Sequence, residues 1–95
     1  VGAAAGLDSL ANRLDGRGIA HRALTPAECE RRFVTGGLTC SDPDGNRVEF
    51  HHGPVNGESP FVPGRELSGF RTGAQGLGHA VLLTPQVDRM VAFYQ

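Results

Sequence analysis

Two short runs with strand character, Gly37–Ser41 and Arg47–His52, flank Asp42-Pro43-Asp44-Gly45-Asn46. Each residue of that insert favours a reversal of the chain. Asp and Asn bond to nearby amides, Pro presets φ, and Gly takes positive φ without steric cost. A turn of this kind between two strands predicts a β-hairpin, which commits the chain to an antiparallel sheet.

The residues before the hairpin supply helices and a further strand. Leu7, Leu10, Ala11 and Leu14 recur at helical spacing, with Asp8 placed to put negative charge in a first turn and Gly16 and Gly18 to stop the helix. Ile19 to Leu24 alternates apolar and polar residues and predicts a half-buried strand. Thr25-Pro26-Ala27-Glu28 has an N-cap Thr, Pro at the first helical position and Glu at the third. That is a capping box, and it predicts a short helix to about Phe33.

After the hairpin the pattern changes twice. Residues 54–75 are rich in Gly, Pro and Ser with isolated aromatics and no period, which predicts a linker. Leu77–Leu83 then predicts a strand, and Thr84-Pro85 repeats the cap-plus-Pro device before Val87, Met90, Val91 and Tyr94, an apolar stripe at i, i+3, i+4 and i+7. A weak internal repeat sets Val81 and Val87-Asp88-Arg89-Met90 eighty positions after Val1 and Leu7-Asp8-Ser9-Leu10. The spacing therefore predicts an incomplete N-terminal βαβββ module over residues 1–53, a linker over 54–75, and the truncated start of a second module over 76–95. Val1 in place of an initiator Met, and a helical pattern that reaches Gln95 without a stop signal, predict a piece of a longer chain.

Composition excludes several classes of function. No stretch is apolar for long enough to cross a bilayer. The formal net charge is -1 and the nine basic residues, all Arg, are scattered, so nothing predicts a nucleic-acid surface. Cys29 and Cys40 lack CxxC spacing and read as buried small hydrophobes in a reducing cytoplasm. No GxGxxG or GxxxxGK[ST] motif opens a helix, which removes phosphate binding through a Gly-rich loop.

Among residues that could carry chemistry, His79 stands mid-strand among apolar neighbours, and the side-chain period of two puts it on one face with Leu77, Val81 and Leu83. Spacing alone admits a hydrogen-bonded structural histidine as well as a ligand, and an ordinary core valine at 81. Glu49 alternates with Val48 and Phe50, so it faces away from whichever side packs on the helix and could line the concave face of the sheet. His51 and His52 are adjacent, point to opposite faces and cannot serve one site; they and His21 read as surface residues.

The longer text is more specific. Gly76-Leu77-Gly78-His79-Ala80-Val81-Leu82-Leu83 follows Ser68-Gly69-Phe70-Arg71-Thr72-Gly73 and precedes Val91-Ala92-Phe93-Tyr94. With the turn at Asp42–Asn46 and the connector Phe61-Val62-Pro63-Gly64, this resembles the type I extradiol dioxygenases of the vicinal oxygen chelate superfamily, most closely those acting on 2,3-dihydroxybiphenyl. The resemblance covers nearly the whole chain.

It implies an α+β fold of paired βαβββ modules, the glyoxalase/bleomycin resistance/extradiol dioxygenase fold, with most of the first module and the start of the second present. It implies that the parent enzyme opens a catechol next to its hydroxyl pair, using Fe(II), with Mn(II) as the alternative, and O2, in cytoplasmic aromatic catabolism. His79 is then a metal ligand and Val81 part of the substrate pocket wall, with the other ligands and the acid-base residues beyond Gln95; the first module holds no metal, which makes Glu49 a structural or solvent-facing carboxylate. A 2-His-1-carboxylate set leaves positions open for a chelating catechol and for dioxygen. The resemblance implies a homo-oligomeric parent without nucleic-acid or membrane partners, and a fragment that is inactive alone. The alternatives are an enzyme for another catechol, steroid-derived or bicyclic, and a non-enzymatic binding module of the bleomycin-resistance kind.

Overall fold

A computed structural model describes residues 3–60, 62–68 and 79–95. In chain order these form α1 (Ala4–Gly16), β1 (His21–Ala23), α2 (Pro26–Arg32), β2 (Val34–Ser41), β3 (Arg47–Pro54) and α3 (Val87–Tyr94). The strands make one antiparallel sheet in the order β1-β2-β3. The architecture is α+β, and a three-stranded antiparallel sheet with helices in this order fits a partial βαβββ module.

The turn residues close the hairpin as their chemistry requires. Gly45 adopts φ +84°, the Asp42 amide donates to the Asn46 carbonyl at 2.9 Å, and Ser41 pairs with Arg47. Both strands run further than the sequence predicts. β2 begins at Val34 rather than Gly37, and β3 ends at Pro54 rather than His52. Gly36 and Gly37 lie within the ladder opposite His52 and His51. A Cβ at Gly36 would come within 2.7 Å of the His52 ring, and one at Gly37 within 2.7 Å of the Phe50 carbonyl oxygen. Close packing across the strands selects glycine here.

Helix termini follow local chemistry, with two corrections. α1 begins at Ala4, so Asp8 lies beyond the first turn, which holds no acidic residue. Its end is a Schellman motif: Gly18 takes φ +68°, the Ile19 amide bonds to the Leu14 carbonyl, and the Gly18 amide bonds to that of Asp15, both at 2.9 Å. Ile19 is used in that motif, so β1 starts only at His21. α2 has the predicted capping box and ends at Phe33, in left-handed conformation at φ 52°. α3 is capped differently from the sequence pattern. Its N-cap is Gln86 and no side chain caps it; the Thr84 hydroxyl accepts from the Gln86 amide at 3.0 Å and closes a local turn one step too early.

Residues directly opposite in the ladder share a face. His21, Cys40 and Val48 therefore lie on one side with Leu38 and Phe50, and Arg22, Thr39 and Glu49 on the other. Leu10 and Leu14 of α1 and Phe93 of α3 meet Phe50 around one crevice. Side chains of α2 meet Arg22 and Glu49 on the opposite side. The buried apolar residues are Leu7, Leu14, Leu24, Cys29, Leu38, Cys40 and Met90. Of the predicted stripe on α3, only Met90 is buried; Val87, Val91 and Tyr94 are exposed.

The strand predicted over Leu77–Leu83 is not found in its described part, 79–83, while Leu77 and Gly78 lie outside the described residues. A strand needs a neighbour for its amides and carbonyls. Among the described residues no strand pairs with this segment. No helix among them is long and apolar enough to cross a membrane.

Candidate functional site

His79 is exposed and is the first described residue of the irregular stretch that leads into α3. The alternation predicted for a strand survives in the placement of its neighbours. Ala80 and Leu82 line an open groove of about 700 Å³ with Val48, Val87, Met90 and Tyr94. Val81 and Leu83 are 78% and 95% exposed.

Among the described residues no three His, Cys, Asp or Glu side chains gather closely enough to hold a metal ion. One imidazole offers one donor, and a facial set needs three. The residues described here therefore do not by themselves make a metal site.

The densest group of ionisable side chains lies on the opposite face from Phe50. Glu49 takes the Arg32 guanidinium through both oxygens, Nη2 at 2.8 Å and Nε at 2.5 Å. It also meets Arg47 Nε at 2.7 Å and His51 Nε2 at 3.0 Å. The Arg32 hydrogen bonds are the main reason its carboxyl is lowered to about 2, against a smaller opposing effect of burial. Glu28 is bonded to Arg22 at 2.8 and 2.9 Å and to Arg47 at 3.1 Å. It also accepts the Thr25 amide at 2.8 Å. These bonds, from Arg22 first and the Thr25 amide second, hold it well below the usual carboxylate range. The two carboxylates tie β1, α2 and β3 together. Ionised and ringed by guanidinium groups, they are poor proton carriers at neutral pH. Glu49 is thus a structural carboxylate, in keeping with its expected role.

His21 departs from expectation. Its side chain is 14% exposed, and Nδ1 lies 3.1 Å from the Ile19 carbonyl oxygen and 3.7 Å from Asp15. Sharing a face with Cys40 draws it inward. Cys29 and Cys40 are free and buried. Burial first, and Asp42 second, push the Cys40 thiol up.

The hairpin turn carries a second polar group that no local pattern announced. Asp42 is buried. Its Oδ1 accepts the amides of Asp44 at 2.9 Å and Asn46 at 2.8 Å. Its Oδ2 accepts Asn46 Nδ2 at 2.8 Å and the Tyr94 hydroxyl at 2.9 Å. Burial raises the Asp42 carboxyl, but these donors outweigh it and leave the group below its ordinary value. The Tyr94 phenol, desolvated by burial and donating to Asp42, is pushed up to about 12. The Gln86 amide donates to the Pro43 carbonyl at 3.0 Å and to Asp44 Oδ1. These pairs are 42 or more positions apart in the chain, and no spacing rule reaches that far.

No family model matches the chain. It is 44% identical over 95 residues to biphenyl-2,3-diol 1,2-dioxygenase of Paraburkholderia xenovorans (strain LB400), covering 99% of this chain and 32% of that protein. It is 40% identical over 90 residues to 3-methylcatechol 2,3-dioxygenase of Pseudomonas putida (strain F1), covering 94% of this chain and 31% of that one. A solved structure of catechol 2,3-dioxygenase superposes with a TM-score of 0.89 at 38% identity, over 99% of this chain and 34% of that one. The chain spans about a third of the length of the relatives it matches.

Proposed function

Because the chain is homologous to the extradiol dioxygenases over about a third of their length, we propose that it is part of an enzyme that opens the ring of a 2,3-dihydroxybiphenyl-type catechol next to its hydroxyl pair, with O2 as co-substrate. The observation that carries this is the 44% identity to a biphenyl-2,3-diol dioxygenase along 99% of the chain. The relative named for 3-methylcatechol adds a catechol with a smaller substituent, methyl in place of phenyl, as a second candidate substrate.

The same proposal divides the chain into a partial first module over residues 1–53, a linker over 54–75 and the start of the catalytic module over 76–95. His79 supplies one imidazole to Fe(II), with Mn(II) the alternative, and Val81 lines the substrate pocket. The further ligands and acid-base groups come from the two thirds of the enzyme that this chain does not span. The metal, when bound, brings catechol and O2 together and carries electron density between them. His79 is suited to a ligand's part because it is solvent-accessible, at the head of a segment whose Ala80 and Leu82 line the groove beside β3. A cytoplasmic, homo-oligomeric parent completes the proposal, and the two free buried cysteines fit a reducing compartment.

The test uses the full-length protein, loaded with Fe(II) without oxygen and then given O2 and a catechol. A yellow ring-fission product from 2,3-dihydroxybiphenyl, or from 3-methylcatechol, is the expected result. Absence of product from every catechol tried overturns the proposal. The His79→Ala variant is expected to lose iron, measured by metal analysis, together with activity. Full iron content in that variant removes His79 from the ligand set.

A further inference from the structure

We propose that the hairpin turn at Asp42–Asn46 is a latch that docks α3 onto the sheet and so sets the position of the segment 79–86, His79 included. The docking half stands on contacts alone, and the consequence for His79 rests on the ligand role proposed above.

The turn is built to do two things at once. With Oδ1, Asp42 holds the amides of Asp44 and Asn46, which is enough to close the turn. Its Oδ2, already steadied by Asn46 Nδ2, faces outward to the Tyr94 hydroxyl. One and two positions along, the Pro43 carbonyl and the Asp44 carboxylate receive the Gln86 side-chain amide. Gln86 is the N-cap of α3 and Tyr94 its last helical residue. Eight residues of helix separate them by about 12 Å, so one five-residue turn grips both ends of the helix.

The grip is specific in register. The Gln86 Oε1 is held by Arg89 Nη1 at 2.6 Å, which aims its NH2 group at the turn. A helix slipped by one residue would rotate by about 100° and lose both anchors. A third contact, Arg17 Nη1 to the Ala92 carbonyl at 3.3 Å, comes from the end of α1. Apolar packing under α3 is modest: Met90 is its only buried residue, and Phe93 lines a crevice with Phe50, Leu10 and Leu14. The polar anchors therefore carry much of the docking. Only six residues lie between His79 and Gln86, so wherever the latch holds Gln86 it limits where the imidazole can stand.

Hydrogen exchange on the full-length protein tests the docking, with wild type set against the double variant Tyr94→Phe, Gln86→Ala. Both substitutions leave the ring or the helix backbone in place. Amides 90–94 are expected to exchange about tenfold faster or more, while amides 36–40 of β2 keep their protection. Unchanged exchange in α3 overturns the latch. Equal acceleration in β2 also overturns it, because the contacts would then hold the sheet rather than the helix.

The positioning half is read by anaerobic Fe(II) titration, in which the double variant is expected to bind about tenfold more weakly. Faster exchange of α3 with unchanged Fe(II) affinity overturns that half and leaves the docking. If His79→Ala alone leaves iron binding intact, the ligand proposal fails, and the exchange experiment still decides the latch.

Discussion

Glu49 is the residue whose surroundings most restrict what it can do. Arg32, Arg47 and His51 all face it, and Arg32 comes from a helix seventeen positions earlier in the chain. Its carboxyl lies at about 2 in the fold, below its ordinary 4.5. A lowered carboxylate contributes stability in full above its unfolded value, and loses it as the pH falls from about 4.5 towards about 2. Glu49→Gln is therefore expected to lower the melting temperature of the full-length protein at pH 7, where it leaves Arg32 without its carboxylate and Arg47 with Glu28 alone. The gap to wild type should narrow steadily between pH 5 and pH 3. A gap that is the same at both ends would show that the ion pairs add nothing that an amide cannot replace. The alternation Val48-Glu49-Phe50 made the face of Glu49 legible in the sequence. Its Arg32 partner was not, because helix and strand meet only through the tertiary fold.

At the scale of elements, what could be read in advance is what the chain decides within a few residues. The capping box at Thr25–Glu28, the glycine stop after α1 and the hairpin turn each bond to their own neighbourhood, and each is found in the structure. Reading failed where a partner elsewhere sets the outcome. The spacing predicts a strand from Gly37 only, yet β2 begins at Val34, and Gly36 and Gly37 lie in its ladder where His52 and the Phe50 carbonyl leave no room for a side chain. Thr84-Pro85 looks like the start of a helix, but the Thr84 hydroxyl is spent on a local turn and α3 begins after Gln86. The glycine account can be tested at Gly37. There a Cβ would meet the Phe50 carbonyl oxygen and Leu24 Cδ1, both at 2.7 Å. The strand backbone is the less yielding of the two, so Gly37→Ala must push β2 and β3 apart. A cost of about 1–3 kcal/mol is expected for such overpacking, read as a lower urea midpoint with an unchanged slope. An unchanged midpoint would mean that the ladder tolerates a side chain, and that packing did not select the glycine.

Across the whole molecule, polar and apolar surfaces are distributed unequally. Arg22, Glu28, Arg32, Arg47, Glu49 and His51 satisfy one another, whereas the segment from Val81 through α3 presents apolar side chains to solvent. Leu83 is 95% exposed, Val81 78%, Val87 60%, and Leu82 and Val91 close to half. Scattered apolar residues on a surface need no explanation, but a contiguous set on one segment marks a face suited to association. Among the described residues the turn latch, Met90, Phe93 and Arg17 hold α3 on the side of the sheet and α1, and the apolar set lies outside these contacts, open to another surface. The 95-residue chain on its own is thus expected to self-associate, with a sedimentation coefficient that rises with concentration. Substituting Val87 and Val91 by Glu places charge on that face without touching Met90, Gln86 or Tyr94, and is expected to return the chain to a monomer. The candidate metal ligand sits at the head of the same segment, which is why composition and spacing could place His79 only in an apolar setting and a resemblance was needed to give it chemistry. If the chain is monomeric at every concentration, with a single sharp melting transition, then the exposed side chains of Val81–Val91 do not form a working interface. The docking of α3 would then be complete within the described residues.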